Sequence, residues 1–197
     1  MNGPLRVAAR SARRALLAAL IALGVAACGT EQPVGDAERA LFLRAADLAE
    51  LGVRYADAEA HETFSKRRHF DGAYEVNYEF KTPESEEARP LFIYTSVSVQ
   101  PKASDAMLSE GAEKIGLLIG FKREGVEERD VEDAPRFGQS SRLAVLVKDE
   151  RPIGNVFSMR DGRKTYLLVI AGVYFKDPAL WRETIGPKLA RLAAYAP

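Results

Sequence analysis

Alternation of apolar and polar side chains with period two is the dominant pattern in the middle of the chain. In Ala73–Phe80, Tyr74, Val76, Tyr78 and Phe80 fall on one side, and Glu75, Asn77 and Glu79 on the other. That is the signature of a half-buried antiparallel strand. Leu91–Gln100 alternates in the same way, with Leu91, Ile93, Thr95, Val97 and Val99 set against Phe92, Tyr94, Ser96 and Ser98. Thr165–Phe175 is different. Leu167, Val169, Ala171 and Val173 oppose Tyr166, Leu168 and Ile170, so both sides are apolar. This predicts a central strand covered on both faces. Further strands are expected at Glu62–Phe70, Val126–Val131, Leu143–Val147 and Ile153–Met159. Asp71-Gly72 and Asp161-Gly162 mark hairpin turns.

Helical spacing appears in three places. Asp36 is expected to cap a helix running to Glu50, with Leu41, Ala45 and Leu48 on one face. Ser104 is expected to cap a second, Asp105 to Ile119, ended by Gly120. Leu108, Gly111, Ala112, Ile115, Leu118 and Ile119 form its apolar stripe, read as the packing face. Gly111 and Gly116 would let its backbone approach a sheet. Asp177-Pro178 starts a third, as cap and first-turn proline, with Trp181, Ile185, Leu189 and Leu192 as its stripe. The order helix, three strands, helix, several strands, helix predicts one α+β domain over residues 36–197. It is a mainly antiparallel sheet with helices packed on both faces.

The N-terminus has its own logic. Residues 1–14 hold Arg6, Arg10, Arg13 and Arg14 and no acid, and an apolar run follows from Ala15 to Ala27. As a helix that run spans only ~20 Å at ~1.5 Å per residue. A hydrocarbon core of ~30 Å is too thick for it, so a processed signal peptide over residues 1–27 is the stronger reading. Val25-Ala26-Ala27-Cys28 resembles the lipobox of bacterial lipoproteins. The resemblance implies cleavage between Ala27 and Cys28, a diacylglycerol on the Cys28 sulfur and an acyl chain on its new amino group. Gly29 after the cysteine makes sorting to the outer membrane, facing the periplasm, the default for a Gram-negative cell. Residues 28–35 are then the lipidated Cys28 and a short polar tether.

Beyond residue 27 the chain keeps 24 Lys+Arg against 28 Asp+Glu, a net charge of −4. This does not suggest nucleic acid as a partner. No cysteine remains besides Cys28, which excludes disulfides, thiol catalysis and cysteine-ligated metal. The element order over roughly residues 60–195, with the segment GVEERDVEDAPRFGQSSRLAVLV, resembles the PsbP-like α/β/α sandwich found among bacterial lipoproteins. That resemblance implies a protein- or ligand-binding domain without a catalytic site.

Motifs of catalysis are missing. There is no G-x-S-x-G elbow and no Ser-x-x-Lys pair. Gly111–Gly116 has phosphate-loop spacing, but Leu117 stands where the lysine belongs. His61-Glu62 opens like a zincin helix, but Ser65 replaces the second histidine. Asp57, Glu59, His61, Glu62, His69 and Asp71 remain. His61, His69 and Asp71 form a candidate two-His, one-carboxylate metal site if the chain before His61 folds back. The preferred alternative is two solvated histidines near a turn. Lys66, Arg67 and Arg68 form a candidate anion site, with a charged strand edge as the preferred alternative. Acidic loops at Glu84–Glu87 and Glu124–Asp133 read as solvated.

The expectation is therefore a membrane-anchored envelope lipoprotein, not an enzyme, with no cofactor. It is held to the membrane through Cys28 and binds another envelope protein. Two alternatives are carried forward. A hydrolase with a dispersed Asp/Glu pair would show a pocket holding two carboxylates with raised pKa values. A small-molecule or metal binder would show an apolar cavity beneath Tyr74 and Tyr78. Cys28→Ser is expected to abolish palmitate incorporation and leave an unprocessed precursor, read by radiolabelling and gel mobility.

Overall fold

The protein's computed structural model describes residues 29–55, 60–83 and 90–197. In chain order its elements are β1 Gly29–Gln32, α1 Asp36–Arg39, α2 Ala45–Glu50, β2 His61–His69, β3 Tyr74–Lys81, β4 Phe92–Val99, α3 Ala103–Arg123, β5 Val126–Asp130, β6 Ser140–Lys148, β7 Arg151–Asp161, β8 Lys164–Ala171 and α4 Pro178–Ala194. The strands form one open eight-stranded sheet in the order β1-β2-β3-β4-β8-β7-β6-β5. Every neighbouring pair is antiparallel.

The chain lays down this sheet as two meanders. The first, β2-β3-β4, turns at Asp71-Gly72. The second, β5 to β8, ends in the hairpin at Asp161-Gly162. Gly72 and Gly162 take φ of +88° and +56°, which an L side chain adopts only at a cost. Val99 pairs with both Tyr74 and Lys164, so β4 leaves the sheet at the end that carries these two turns. β5 begins at Val126, paired with Lys148 at the opposite end. Helix α3 therefore crosses from the turn end to the far end and returns the chain to the other edge.

Alternation sorts the strand residues onto two faces. One face gathers Val76, Tyr78, Ile93, Val97, Leu143, Phe157, Tyr166, Leu168 and Ile170. Leu41, Phe42, Leu43 and Leu48 cover it from the N-terminal segment, and Trp181, Ile185, Leu189 and Leu192 from α4. The opposite face gathers Phe92, Ala144, Leu146, Val156, Leu167 and Val169, covered by Leu117 and Phe121 of α3. β8 contributes to both clusters and lies between β4 and β7, as its two apolar faces require.

Three expectations are corrected. The segment from Asp36 to Glu50 is two short helices rather than one, and Gly35 rather than Asp36 is the first cap. The break follows from Leu41-Phe42-Leu43, all at most 1% exposed. Three consecutive residues span too wide an arc of one helix to be buried together, so the backbone leaves the helix to place all three in the core. Gly29–Gln32, expected as tether, pairs with Lys66–His69 as the edge strand β1. A Cβ on Gly29 would sit 2.7 Å from the Arg68 carbonyl oxygen, so only glycine fits. Finally, α3 starts from Lys102 rather than Ser104 and continues through Gly120 to Arg123.

The N-terminal segment is tied down by Glu38, which is 7% exposed. Its carboxylate accepts from the Gly35 amide at 2.9 Å, Lys66 Nζ at 2.7 Å and the Tyr195 hydroxyl at 2.8 Å. Burial alone would raise its pKa, but these donors hold it down to about 2. One paired charge thus joins α1, β2 and the end of α4.

The orientation of α3 is testable at two adjacent leucines. Leu117 is 2% exposed and Leu118 is 46% exposed. Leu117→Ala is expected to cost about 2–4 kcal/mol by cavity formation, and Leu118→Ala less than about 0.5 kcal/mol, measured by urea denaturation.

Candidate functional site

The outward face of α3 carries the largest departure from the sequence pattern. The stripe read as its packing face points to solvent: Leu108 is 69% exposed, Ile115 61%, and Leu118 and Ile119 nearly half. Gly111, on the same side, has nothing within 4 Å of where a Cβ would sit. The face turned to the sheet carries Ala106, Glu110, Leu117, Gly120 and Phe121 instead. Helix α3 is thus apolar on two opposite sides. An exposed apolar row of this length is the usual mark of a contact surface.

A groove adjoins that row. Ile115 and Leu118 form its lip, and Leu117, Val156 and Leu167 its floor, around a cavity of about 290 Å³. Its far wall is the ion pair of Arg142 with Glu128, extended to Asp130, which Arg142 meets at 2.6 Å. An apolar floor with a charged rim fits an inserted apolar side chain of a partner.

On the other flank of α3 lies a polar cleft of about 250 Å³. Glu75 on β3 and Tyr94, Ser96 and Ser98 on β4 line it, and Ser109 and Glu113 of α3 overhang it. These strand residues are the polar half of the alternation noted above, so the cleft follows from register. Burial, with Glu75 and Glu110 nearby and Lys114 opposing, pushes the Glu113 carboxyl up to about 7. Burial, with the negative charges of Glu75, Glu113 and Glu79, also raises the Tyr94 hydroxyl. Glu110 behaves oppositely. Burial would raise it, but Lys114 at 2.6 Å and Arg160 at 3.0 Å lower it. No sequence motif marked Glu75 or Glu113, whose partnership exists only because α3 lies over β3 and β4.

The sequence-derived candidates are dispersed. His61 and His69 stand at opposite ends of β2, roughly 26 Å apart at ~3.3 Å per residue. His69 Nε2 lies 3.2 Å from Glu75, and Asp71 accepts from the Ala73 amide at 2.9 Å within the hairpin turn. The proposed triad does not form, because a strand carries its ends apart. Among the described residues no group of three or more His, Cys, Asp or Glu is placed to hold a metal ion. Lys66, Arg67 and Arg68 alternate across the strand. Lys66 is paired with Glu38, Arg67 lies 3.9 Å from Glu31, and the Arg68 guanidinium sits 5.5 Å over Tyr74. They do not converge on one anion.

Tyr78 and Phe80 belong to the core, and the partly buried Tyr74 packs against it: Tyr78 stacks on Phe42 at 5.5 Å and donates to Glu62 at 3.2 Å. Ala27, Cys28, Asp57, Glu59 and Glu84–Glu87 lie outside the described residues. Among the described residues, no helix is long and apolar enough to cross a membrane. No protein-family model matches the chain, and neither curated proteins nor solved structures give a significant match.

The cleft carries a pH signature. Folded Glu113 keeps its proton up to about 7, whereas the ordinary value is 4.5. The folded state binds more protons between these values, so its stability falls as pH rises through that window. Glu113→Gln is expected to match the parent near pH 4.5 and to exceed it by on the order of 2 kcal/mol at pH 8. Thermal unfolding at both pH values checks this, and a difference independent of pH contradicts it.

Proposed function

We propose that this chain is a membrane-anchored bacterial envelope lipoprotein. Its non-catalytic domain docks another envelope protein through the outer face of α3. The carrying observation is the exposed row Leu108, Ile115, Leu118 and Ile119 beside the groove over Val156 and Leu167. Burying such side chains stabilises a complex by ~1.5–3 kcal/mol each when fully desolvated. The lipobox at Val25–Cys28 supports the anchor, and the order of elements around one antiparallel sheet supports a PsbP-like sandwich.

A second reading, acid–base chemistry in the polar cleft, has one observation in its favour: the raised carboxyl of Glu113 beside Glu75. Hydrolysis of chromogenic esters or glycosides by the protein, lost in Glu113→Gln, would replace the docking reading.

A photo-crosslinking residue at position 115, introduced in living cells, is expected to capture one envelope protein. The same probe at position 150, on the far turn, is expected to capture none. With that partner purified, Leu118→Asp should weaken binding at least tenfold and Leu180→Asp, on α4, should leave it unchanged. Equal binding by both variants would overturn the assignment of the surface.

A further inference from the structure

Phe70 is 83% exposed, the most exposed large hydrophobic residue among those described. It sits at the tip of the β2–β3 hairpin, and the turn is closed by its own bonds. The Gly72 amide donates to the His69 carbonyl at 3.0 Å, and Asp71 accepts from the Ala73 amide. An aromatic ring held out in water at a hydrogen-bonded turn serves neither core.

Its position relative to the chain's entry is specific. Gly29 pairs directly with His69. Cys28 is one peptide unit before Gly29, and Phe70 is one peptide unit after His69. Gly29, the first described residue, therefore enters the sheet directly beside the hairpin tip that carries Phe70. The charges at this end are mixed, with Arg68, Lys102, Arg163 and Lys164 set against Asp71, Asp105 and Asp161. The feature that stands out there is apolar.

We propose that the turn end of the sheet rests on the lipid bilayer, with the Phe70 ring inserted among the headgroups beside the acyl chains on Cys28. The proposal rests on the lipoprotein reading. One aromatic side chain does not hold a protein on a membrane. Beside an anchor that already confines it there, it is enough to fix the domain's orientation. Because the local charges nearly cancel, the contact changes little with salt.

The test uses the lipidated full-length protein in vesicles of phosphatidylethanolamine and phosphatidylglycerol. An environment-sensitive fluorophore is placed on Arg68→Cys or, as the control, on Glu150→Cys. Acylation of Cys28 leaves each introduced thiol as the one that reacts. A quencher carried on the lipid near the headgroups is expected to quench the probe at 68 several-fold more than that at 150, equally at low salt and at 0.5 M salt. Adding Phe70→Ser should bring the probe at 68 down to the level of the control. Vesicle-bound protein with equal quenching at both positions overturns the proposal and leaves the anchor intact. So does a probe at 68 that is shielded from water but not quenched by lipid, since a protein or a second copy then covers this end. Protein that carries no acyl chain and does not float with the vesicles overturns the anchor reading itself.

Discussion

Both faces of β8 are apolar, and the architecture follows from covering them. Leu167 and Val169 look one way, Tyr166, Leu168 and Ile170 the other, and all five are at most 2% exposed. A strand of this kind is stable only at the centre of a sheet with a layer on each side. The chain meets this by building two meanders and joining them through β8, its last strand, which pairs with β4 of the first. One layer comes from the two chain termini, α1, α2 and α4, and the other from the crossover helix α3. A single helix spans only part of a wide sheet. It covers the apolar half over β6–β8 and leaves the half over β2–β4 to carry Glu75, Asn77, Tyr94, Ser96 and Ser98. The polar cleft and the apolar groove are the two flanks of that partial cover.

The same constraint explains which parts of the fold were legible beforehand. Strands β3, β4 and β8 announce themselves because each face of a strand meets one environment, and period two reports it. Helix α3 does not, because it has two apolar sides. Its residues Glu110, Glu113 and Lys114 suggest a solvent-facing side and direct the helix the wrong way round. In the structure Glu110 is buried because Arg160 on β7 and its neighbour Lys114 both neutralise it. Those contacts join residues up to 50 positions apart, which no local window reports. The metal candidate failed for the converse reason. His61 and His69 are near in sequence, but a strand carries them to its two opposite ends. The Glu75–Glu113 cleft was invisible for want of register, since it needs both the pairing of β3 with β4 and the path of α3.

Glu38 places the N-terminal segment under a different kind of control. Removing one partner of a buried, hydrogen-bonded charge leaves the other desolvated and unpaired, at a cost of several kcal/mol. Its three donors come from the loop before α1, from β2 and from Tyr195, so the first and last segments of the domain are fixed by one carboxylate. β1 lies just upstream and is hydrogen-bonded to the same β2. A load applied through residue 28 would therefore reach the sheet by a strand pairing rather than through a slack linker. The absence of slack between Gly29 and the sheet makes the domain's attitude to its attachment point a property of the fold.

Taken with the proposed anchor, this geometry limits what the outer face of α3 can meet. The helix starts at the end of the sheet where β1 begins, and it runs away from that end for 21 residues, about 32 Å at ~1.5 Å per residue. Its exposed row begins near Leu108 and reaches Ile119. A partner that seats on this row must present an apolar surface within a few tens of ångströms of the bilayer, approached from the side of the domain rather than from above. An integral membrane protein with a short extramembrane ridge, or another lipoprotein held as closely, satisfies that height. A freely diffusing protein would bind the same row, but it would gain nothing from the shared membrane. With the anchor fixed in the membrane plane, a membrane-bound partner meets α3 already oriented. Much of the entropy lost on association is then offset before contact is made.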